Sequence, residues 1–385
     1  MEGMKQHTMS ITVADIRRIM DRAYPPQLAE KWDKNGLICG DPNNEVQRVA
    51  FALECDMAVV EAAEAAGAQM IIVHHPLLLK AVSSVAADTP KGAVLHRLIR
   101  SGIALFNAHT NADSARPGVN DHLCEILGLH PGRPLAPQSQ GARDAWTVYF
   151  PLATSENVLP HLFTHGAGEI GNYCRCSFSS TGEGQFEPRP GADPTEGEIG
   201  VLHRGEEEKV EFIAPASRRR EILAALREHH PYEEPAFHIV AMEEDAEADN
   251  AVGIGRIGKL PEPMRLGDFV QRVANTLPQT AWGVRATGDP EQLIQKVAVC
   301  SGSGDSFLDL VRGLDVDAYL TSDLRHHPVD EYLRAGGVPV IDTAHWASEF
   351  PWTSQAAELI GREAGVETII VDHRSDPWTM GAQRG

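Results

Sequence analysis

Apolar runs alternate with stretches of helical spacing along the first part of the chain. Residues 46–54 and 70–73 are rich in β-branched and other apolar side chains and are predicted strands, and residues 57–68 between them form an alanine-rich predicted helix. Before them, residues 12–25 place apolar side chains at helical spacing behind Thr12, a suitable N-cap. The order strand, helix, strand predicts parallel βαβ units and therefore an α/β fold.

The pattern changes in the middle of the chain. Residues 145–242 predict a strand, a helix, a long loop, a strand, a helix and a strand, which suits an inserted α+β domain of ferredoxin-like type. Polar segments rich in proline, glycine or acidic residues, 129–144 and 243–250, flank this insert. We therefore predict three domains: an α/β lobe at 10–130, the insert at 145–242 and a second α/β lobe at 250–378.

The two outer parts share a sequence pattern. His-His-Pro occurs at 74–76 and again at 326–328, each time after an apolar run. A second apolar run then ends at Ala-His-x-x-x-acid, at 108–113 and at 344–349. This shared order predicts an internal duplication that forms two similar lobes facing each other.

The repeated pattern supplies a candidate metal site. Imidazoles and carboxylates are the ligands of divalent metals, and ligands collect beyond the carboxyl ends of parallel strands. Any one histidine has an alternative explanation as a hydrogen-bonded side chain that lines a loop, but the set favours a metal site. Five side chains exceed what one tetrahedral ion needs and suit two bridged ions. The predicted ligands are His74, His75, Asp113, His345 and Glu349.

Other residues carry weaker signals. His109 and His327 are candidate catalytic groups that shuttle protons or orient ligands, and His326 is a further candidate for orientation. The segment Ser-Gly-Ser-Gly at 301–304 follows a predicted strand; a tight strand-to-helix turn is the favoured interpretation, with a phosphate cradle as the alternative.

Composition narrows the possible partners and the compartment. The 385 residues include 54 acidic and 34 basic side chains, a net charge of −20 with no basic patch, so nucleic acid is an unlikely partner. The six cysteines show no Cys-x-x-Cys spacing, which favours reduced thiols. No run has the length of a membrane span and the N-terminal segment lacks the apolar core of a signal peptide, so we expect a cytoplasmic protein.

Six segments together resemble the NIF-three-like dinuclear-metal proteins, often described as type 2 GTP cyclohydrolase I homologues. They are WDKNGLICGD, IIVHHPLLLK, AHTNADSARPGVND, SGSGDSF, TSDLRHHPVDEYLRAG and DTAHWASEFP. The resemblance covers about residues 10–130 and 250–375 and implies two α/β lobes, a two-metal site in their cleft and a toroidal homohexamer. The family's ligand pattern falls on the five residues predicted above. The insert resembles the PII and CutA fold found in longer bacterial members.

Two functions follow as hypotheses. The first is a metal-dependent hydrolase with two divalent ions per chain (zinc, iron, manganese or cobalt), and the family resemblance implies a purine nucleotide or similar small molecule as its substrate. The second is a non-catalytic metal-binding or regulatory scaffold whose insert senses a ligand. Turnover that depends on metal and on the ligand residues distinguishes the two.

Overall fold

The computed structural model of the chain describes residues 10–138, 142–171, 173–243 and 251–382. It divides into two compact units, one formed by Met1–Gln138 with Ala246–Gly385 and the other by Ser139–Asp245. Residues 1–9, and residues 139–141 and 244–250 of the predicted polar segments, lie outside the described residues. The three domain boundaries given above stay predictions.

The first part of the larger unit begins with a capped helix. As predicted, Thr12 is the N-cap, and its side chain accepts a hydrogen bond from the backbone N–H of Asp15. The predicted strand, helix and strand that follow are confirmed. The elements are α1 (Val13–Ala23), β1 (Gly36–Cys39), β2 (Arg48–Ala52), α2 (Met57–Ala65), β3 (Met70–Val73), α3 (Pro90–Ser101), β4 (Ala104–Asn107), α4 (Thr110–Ser114), α5 (Val119–Ile126), β5 (His130–Pro131) and β6 (Ala136–Pro137).

The smaller unit is a four-stranded antiparallel sheet with two helices. Its elements are β7 (Arg143–Pro151), α6 (Ser155–Phe163), β8 (Phe178–Phe186), β9 (His203–Pro215), α7 (Arg219–His229) and β10 (Phe237–Ala241). The strand order is β10-β7-β9-β8. Apolar side chains of both helices, including Leu162 and Leu226, share one core with Trp146 and Phe212 of the sheet. The amphipathic helices thus bury their apolar faces on one sheet.

The second part of the larger unit repeats the alternation of strands and helices. Its elements are β11 (Gly253–Ile254), β12 (Arg256–Arg265), α8 (Leu266–Thr276), β13 (Val284–Ala286), β14 (Leu293–Ser303), α9 (Leu308–Arg312), β15 (Ala318–Ser322), α10 (His326–Arg334), β16 (Val340–Thr343), α11 (His345–Glu349), α12 (Trp352–Ala364) and β17 (Glu367–Ile370). None of the helices in the described part of the chain has the length and apolar character that a membrane crossing needs.

Two mixed sheets organise the larger unit. The first has the order β1-β4-β3-β2-β17, with β1 antiparallel at one edge and the other four strands parallel. The second has the order β13-β16-β15-β14-β12-β5, and again an antiparallel edge strand, β13, lies beside three parallel strands. The larger unit is therefore mixed α/β, as predicted.

Burial on both faces explains the continuous apolar runs of the parallel strands. Along β3, Met70 and Ile72 belong to one core cluster, while Ile71 and Val73 belong to a second cluster on the opposite face. Helices cover both faces, so such strands are largely apolar along their length. Asn107 of β4 and Thr343 of β16 stand at the last positions of their strands, so polar side chains collect at and beyond the carboxyl ends.

The two His-His-Pro segments occupy different places, contrary to the prediction. The first follows β3 directly, with His74 as its first residue. In the second half, β15 ends at Ser322, and Asp323 follows it with a φ of 57°. His326 begins α10. Pro328 is tolerated in the first turn of this helix, because N–H groups there have no hydrogen-bond partner within the helix. Asp323, rather than a histidine, is therefore the counterpart of His74 in chain position.

Candidate metal centre

Three chain segments converge at the carboxyl ends of parallel strands. His74 and His75 follow β3. His109 follows β4, and Asp113 lies on the short helix α4 behind it. In the second half, β16 leads into α11, which begins at His345 and ends at Glu349, so both side chains lie one helical turn apart on one face.

These side chains form three overlapping groups with metal-binding spacing. Within each group the potential ligand atoms lie within 4.8 Å of one another. The groups are His74 with His75 and His109; His75 with His345 and Glu349; and His74 with Asp113 and Glu349. All five predicted ligands therefore lie together, and His109 joins them.

Glu349 connects two of the groups. Its Oε2 lies 2.7 Å from Nε2 of His75 and 3.1 Å from Nε2 of His345. Its Oε1 lies 3.7 Å from Nε2 of His74, and the same Nε2 lies 3.7 Å from Oδ1 of Asp113. The two oxygens of one carboxylate thus face different sets of candidate ligands.

The hydrogen bonding of His74 is that expected of a metal ligand. Its side chain is fully buried, and Nδ1 lies 2.8 Å from the carbonyl oxygen of Ala108. Because a carbonyl only accepts, Nδ1 carries the hydrogen, and Nε2 is left with a free lone pair. Nε2 has no hydrogen-bond partner among the described residues. A buried acceptor without a donor is costly unless a cation completes it.

Carboxylates orient the other three imidazoles. Nδ1 of His75 lies 2.9 Å from Glu54, and Nδ1 of His345 lies 2.7 Å from Asp323. Nδ1 of His109 lies 2.9 Å from Oδ1 of the buried Asp33. Each contact leaves Nε2 directed away from the orienting carboxylate, as in the carboxylate–histidine pairs of metal sites.

Glu54, Asp323 and Asp33 are functional residues that sequence patterns did not identify. A signal was present for two of them, since Glu54 follows β2 by two residues and Asp323 follows β15 directly. Asp33 lies within the WDKNG segment, and its oxygens also accept hydrogen bonds from the backbone N–H and the hydroxyl of Thr110. Its pairing with His109, from a distant loop, has no local signature.

The charges of the centre stabilise one another. Burial opposes protonation of both rings, but carboxylates outweigh it. Glu349 with Glu54 raises the pKa of His75 to about 9, and Glu349 with Asp323 raises that of His345 to about 11. Burial acts to raise the pKa of Glu349, and the imidazoles of His345 and His75 hold it well below its usual range. Burial raises the pKa of Asp113. In the absence of a metal ion, the protonated rings of His75 and His345 therefore supply the positive charge of this centre.

The segment Ser-Gly-Ser-Gly packs against the centre. Gly302 has a φ of +61°, and the pairing of β14 with β15 shifts register at this point. A Cβ at Gly302 would lie 2.1 Å from Oε1 of Glu349 and 3.1 Å from Nε2 of His345. Glycine is thus needed for both the backbone conformation and the close approach of Glu349.

His327 is not among the candidate metal ligands. It is exposed in the first turn of α10, where its ring contacts that of His326, and none of the three groups includes it. The predicted catalytic roles of His109 and His327 stay predictions, and only His109 lies among the candidate ligands.

A family model and named relatives of this chain indicate the same protein family. Residues 11–377 match the model of the Duf34/NIF3 (NGG1p interacting factor 3) family. A Mycobacterium leprae protein named GTP cyclohydrolase 1 type 2 homolog is 49% identical over 379 residues, which cover 98% of this chain and 97% of that protein. A Bacillus subtilis protein of the same name is 32% identical over 375 residues, covering 96% of this chain and 99% of that protein.

Solved structures give the same result. The Bacillus cereus protein related to NIF3 superposes with a TM-score of 0.76 at 33% identity, covering 96% of this chain and 99% of the other. A Staphylococcus aureus protein superposes with a TM-score of 0.77 at 26% identity and the same coverage. Because the family model spans nearly the whole sequence and the relatives match it end to end, the chain belongs to the Duf34/NIF3 family.

Proposed function

We propose that this protein is a metal-dependent hydrolase with two divalent ions per chain and a nucleotide-like substrate. The observation that carries the proposal is the position of Glu349, whose two oxygens face separate sets of ligands. The name GTP cyclohydrolase 1 type 2 homolog, borne by its relatives, supports a purine nucleotide as the substrate. The ligand types suit zinc, iron, manganese or cobalt.

The protein groups have distinct tasks in this proposal. His74, His75, Asp113, His345 and Glu349 would hold the ions. Bound divalent ions lower the pKa of water and polarise the bond under attack. Glu54 and Asp323 fix the rings of His75 and His345, because each accepts a hydrogen bond at Nδ1. His109, held by Asp33 at the edge of the centre, would move a proton between water and the leaving group.

Metal analysis combined with a hydrolysis panel tests the proposal. The purified full chain is assayed for bound metal, and then for release of phosphate, nucleoside or ring-opened products from GTP and related nucleotides. We expect turnover that a chelator abolishes and a divalent ion restores, and His75→Ala should lose metal and turnover together. If stripped protein hydrolyses every substrate as fast as loaded protein, the hydrolase proposal fails. If the loaded chain binds metal without any turnover, the scaffold hypothesis replaces it.

Three further features belong to the same proposal. The antiparallel edge strand beside a run of parallel strands, four in the first large sheet and three in the second, supports an internal duplication. The order β10-β7-β9-β8, with a helix after the first strand and another after the third, supports a ferredoxin-like insert of the PII and CutA type. We also propose that the chain assembles into a toroidal homohexamer in the cytoplasm. A monomer mass measured by light scattering at micromolar concentration would contradict this assembly.

A further inference from the structure

The described chain continues beyond β17 as a C-terminal segment, residues 371–382, which forms neither helix nor strand. It leaves the first sheet at Val371, whose backbone N–H donates to the carbonyl oxygen of Phe51 at 2.8 Å. A terminal segment without secondary structure stays ordered only where side-chain contacts tie it down. The contacts of this segment therefore indicate its role.

Two side chains of the C-terminal segment bind the loop between β2 and α2. Nε2 of His373 lies 2.8 Å from Oδ2 of Asp56, and Oδ1 of the same carboxylate accepts the backbone N–H of Val59 as the N-cap of α2. The hydroxyl of Ser375 donates to Oε2 of Glu54. Both acceptors are carboxylates, and hydrogen bonds to charged groups are stronger than neutral ones. The loop is thus held at two points by the end of the chain.

Other side chains of the C-terminal segment contact the second half of the chain. Arg374 donates to the carbonyl oxygen of Gln279, and its guanidinium carbon lies 5.7 Å from the ring centroid of Trp346. Trp378 packs beside Trp282, with ring centroids 6.3 Å apart. Because Trp346 belongs to α11, the helix that carries two candidate ligands, the segment connects the loop before α2 to that helix.

Glu54 has a different partner at each carboxylate oxygen. Its Oε1 lies 2.9 Å from Nδ1 of His75, while its Oε2 accepts the Ser375 hydroxyl. A glutamate side chain has several freely rotating bonds, so one hydrogen bond leaves the plane of the carboxylate free to turn. The second hydrogen bond fixes that plane and, with it, the ring of His75. Nε2 of this ring lies 2.7 Å from Oε2 of Glu349.

We propose that Ser375 is a positioning residue of the metal centre, which acts through Glu54 on the imidazole of His75. The hydroxyl holds one carboxylate oxygen so that the other faces Nδ1, which leaves Nε2 for the ion. His373 keeps the segment in place through its contact with Asp56. The inference deepens the proposed function and rests on its metal site, but not on the reaction that the site carries out.

The zinc affinity of the full chain, measured by competition with a chromophoric chelator, tests this role. Ser375→Ala should lower the affinity roughly threefold to tenfold, less than the tenfold to hundredfold loss typical of a group that contacts a ligand directly. Ser375→Thr keeps the hydroxyl and should restore the affinity of the natural chain. Thr379→Ala removes an exposed hydroxyl of the same segment and is the matched control, with no change expected.

A double-mutant cycle separates action through Glu54 from a general loss of packing. In a Glu54→Ala background, Ser375→Ala should cause no further loss of zinc affinity, because the carboxylate through which the hydroxyl acts is gone. Additive losses in the double variant would overturn the inference. Equal zinc affinity of Ser375→Ala and the natural chain would also overturn it and leave the metal site intact. A zinc affinity that depends on Ser375, in a chain that hydrolyses no nucleotide, would support the inference while the hydrolase proposal fails.

Discussion

Glu349 and His75 meet across the two halves of the chain, with Oε2 of the carboxylate 2.7 Å from Nε2 of the imidazole. His345 lies one helical turn before Glu349 and reaches the same oxygen. Neither half of the chain therefore contains the complete group, and the centre exists only when both sheets are assembled.

Replacing Glu349 with glutamine should remove at least one ion per chain and abolish turnover. The amide keeps the size of the side chain but places an N–H donor where an anionic ligand is needed, so it cannot bridge two cations. Elemental analysis of the purified variant measures the loss. Glu358→Gln, an exposed position on α12, is the control and should retain full metal content. Full metal content in Glu349→Gln would exclude Glu349 as a ligand.

Alanine at Gly302 should reduce metal content, because the added Cβ would lie 2.1 Å from Oε1 of Glu349. Gly336→Ala is a matched control, since its φ is +85° and a Cβ there meets nothing within 4 Å. Each substitution should lower the free energy of unfolding by roughly 1–2 kcal/mol through the left-handed backbone. Denaturant unfolding and elemental analysis together separate the two effects, and equal metal loss in both variants would contradict this explanation.

Asparagine at Asp33 should slow turnover roughly tenfold to a hundredfold while the chain keeps its metal. The Asp33 carboxylate accepts hydrogen bonds from Nδ1 of His109 and from the backbone N–H and the hydroxyl of Thr110. The neutral amide of asparagine reproduces these bonds only in part. Steady-state kinetics with parallel metal analysis provides the measurement, with Asp309→Asn as an exposed control. Loss of metal with unchanged kcat per bound ion would instead give Asp33 a role in assembling the site.

Metal binding at pH 7 should release protons, and metal affinity should rise with pH. In the metal-free chain, burial acts to lower the pKa of both rings, but Glu349 with Glu54 raises the pKa of His75 to about 9, and Glu349 with Asp323 raises that of His345 to about 11. Both rings are therefore protonated at pH 7, while a metal requires the neutral imidazole, so protons compete with the ion until the pH exceeds these values. Calorimetry in two buffers of different ionisation enthalpy counts the protons released. Identical apparent binding enthalpies in both buffers would refute this competition.

The local sequence determined the strand–helix alternation and the main ligand positions. Strands buried on both faces are largely apolar, so the segments after β3 and β4 were the favoured places for His74, His75 and His109. The spacing of His345 and Glu349 gives one helical face whatever the rest of the fold. Local periodicity and turn chemistry fix such features, because they depend on neighbours within a few residues.

Tertiary structure decided what the ligands meet. Asp33 reaches His109, and Asp323 reaches His345, through folding of segments that no periodicity connects. The second His-His-Pro has the same sequence as the first but begins a helix. The reason is that β15 ends four residues before His326 and that Asp323 turns the chain. The strand β17, from the end of the chain, crosses into the first sheet beside β2. Contacts of this kind depend on the packing of distant segments, which short-range sequence patterns do not encode.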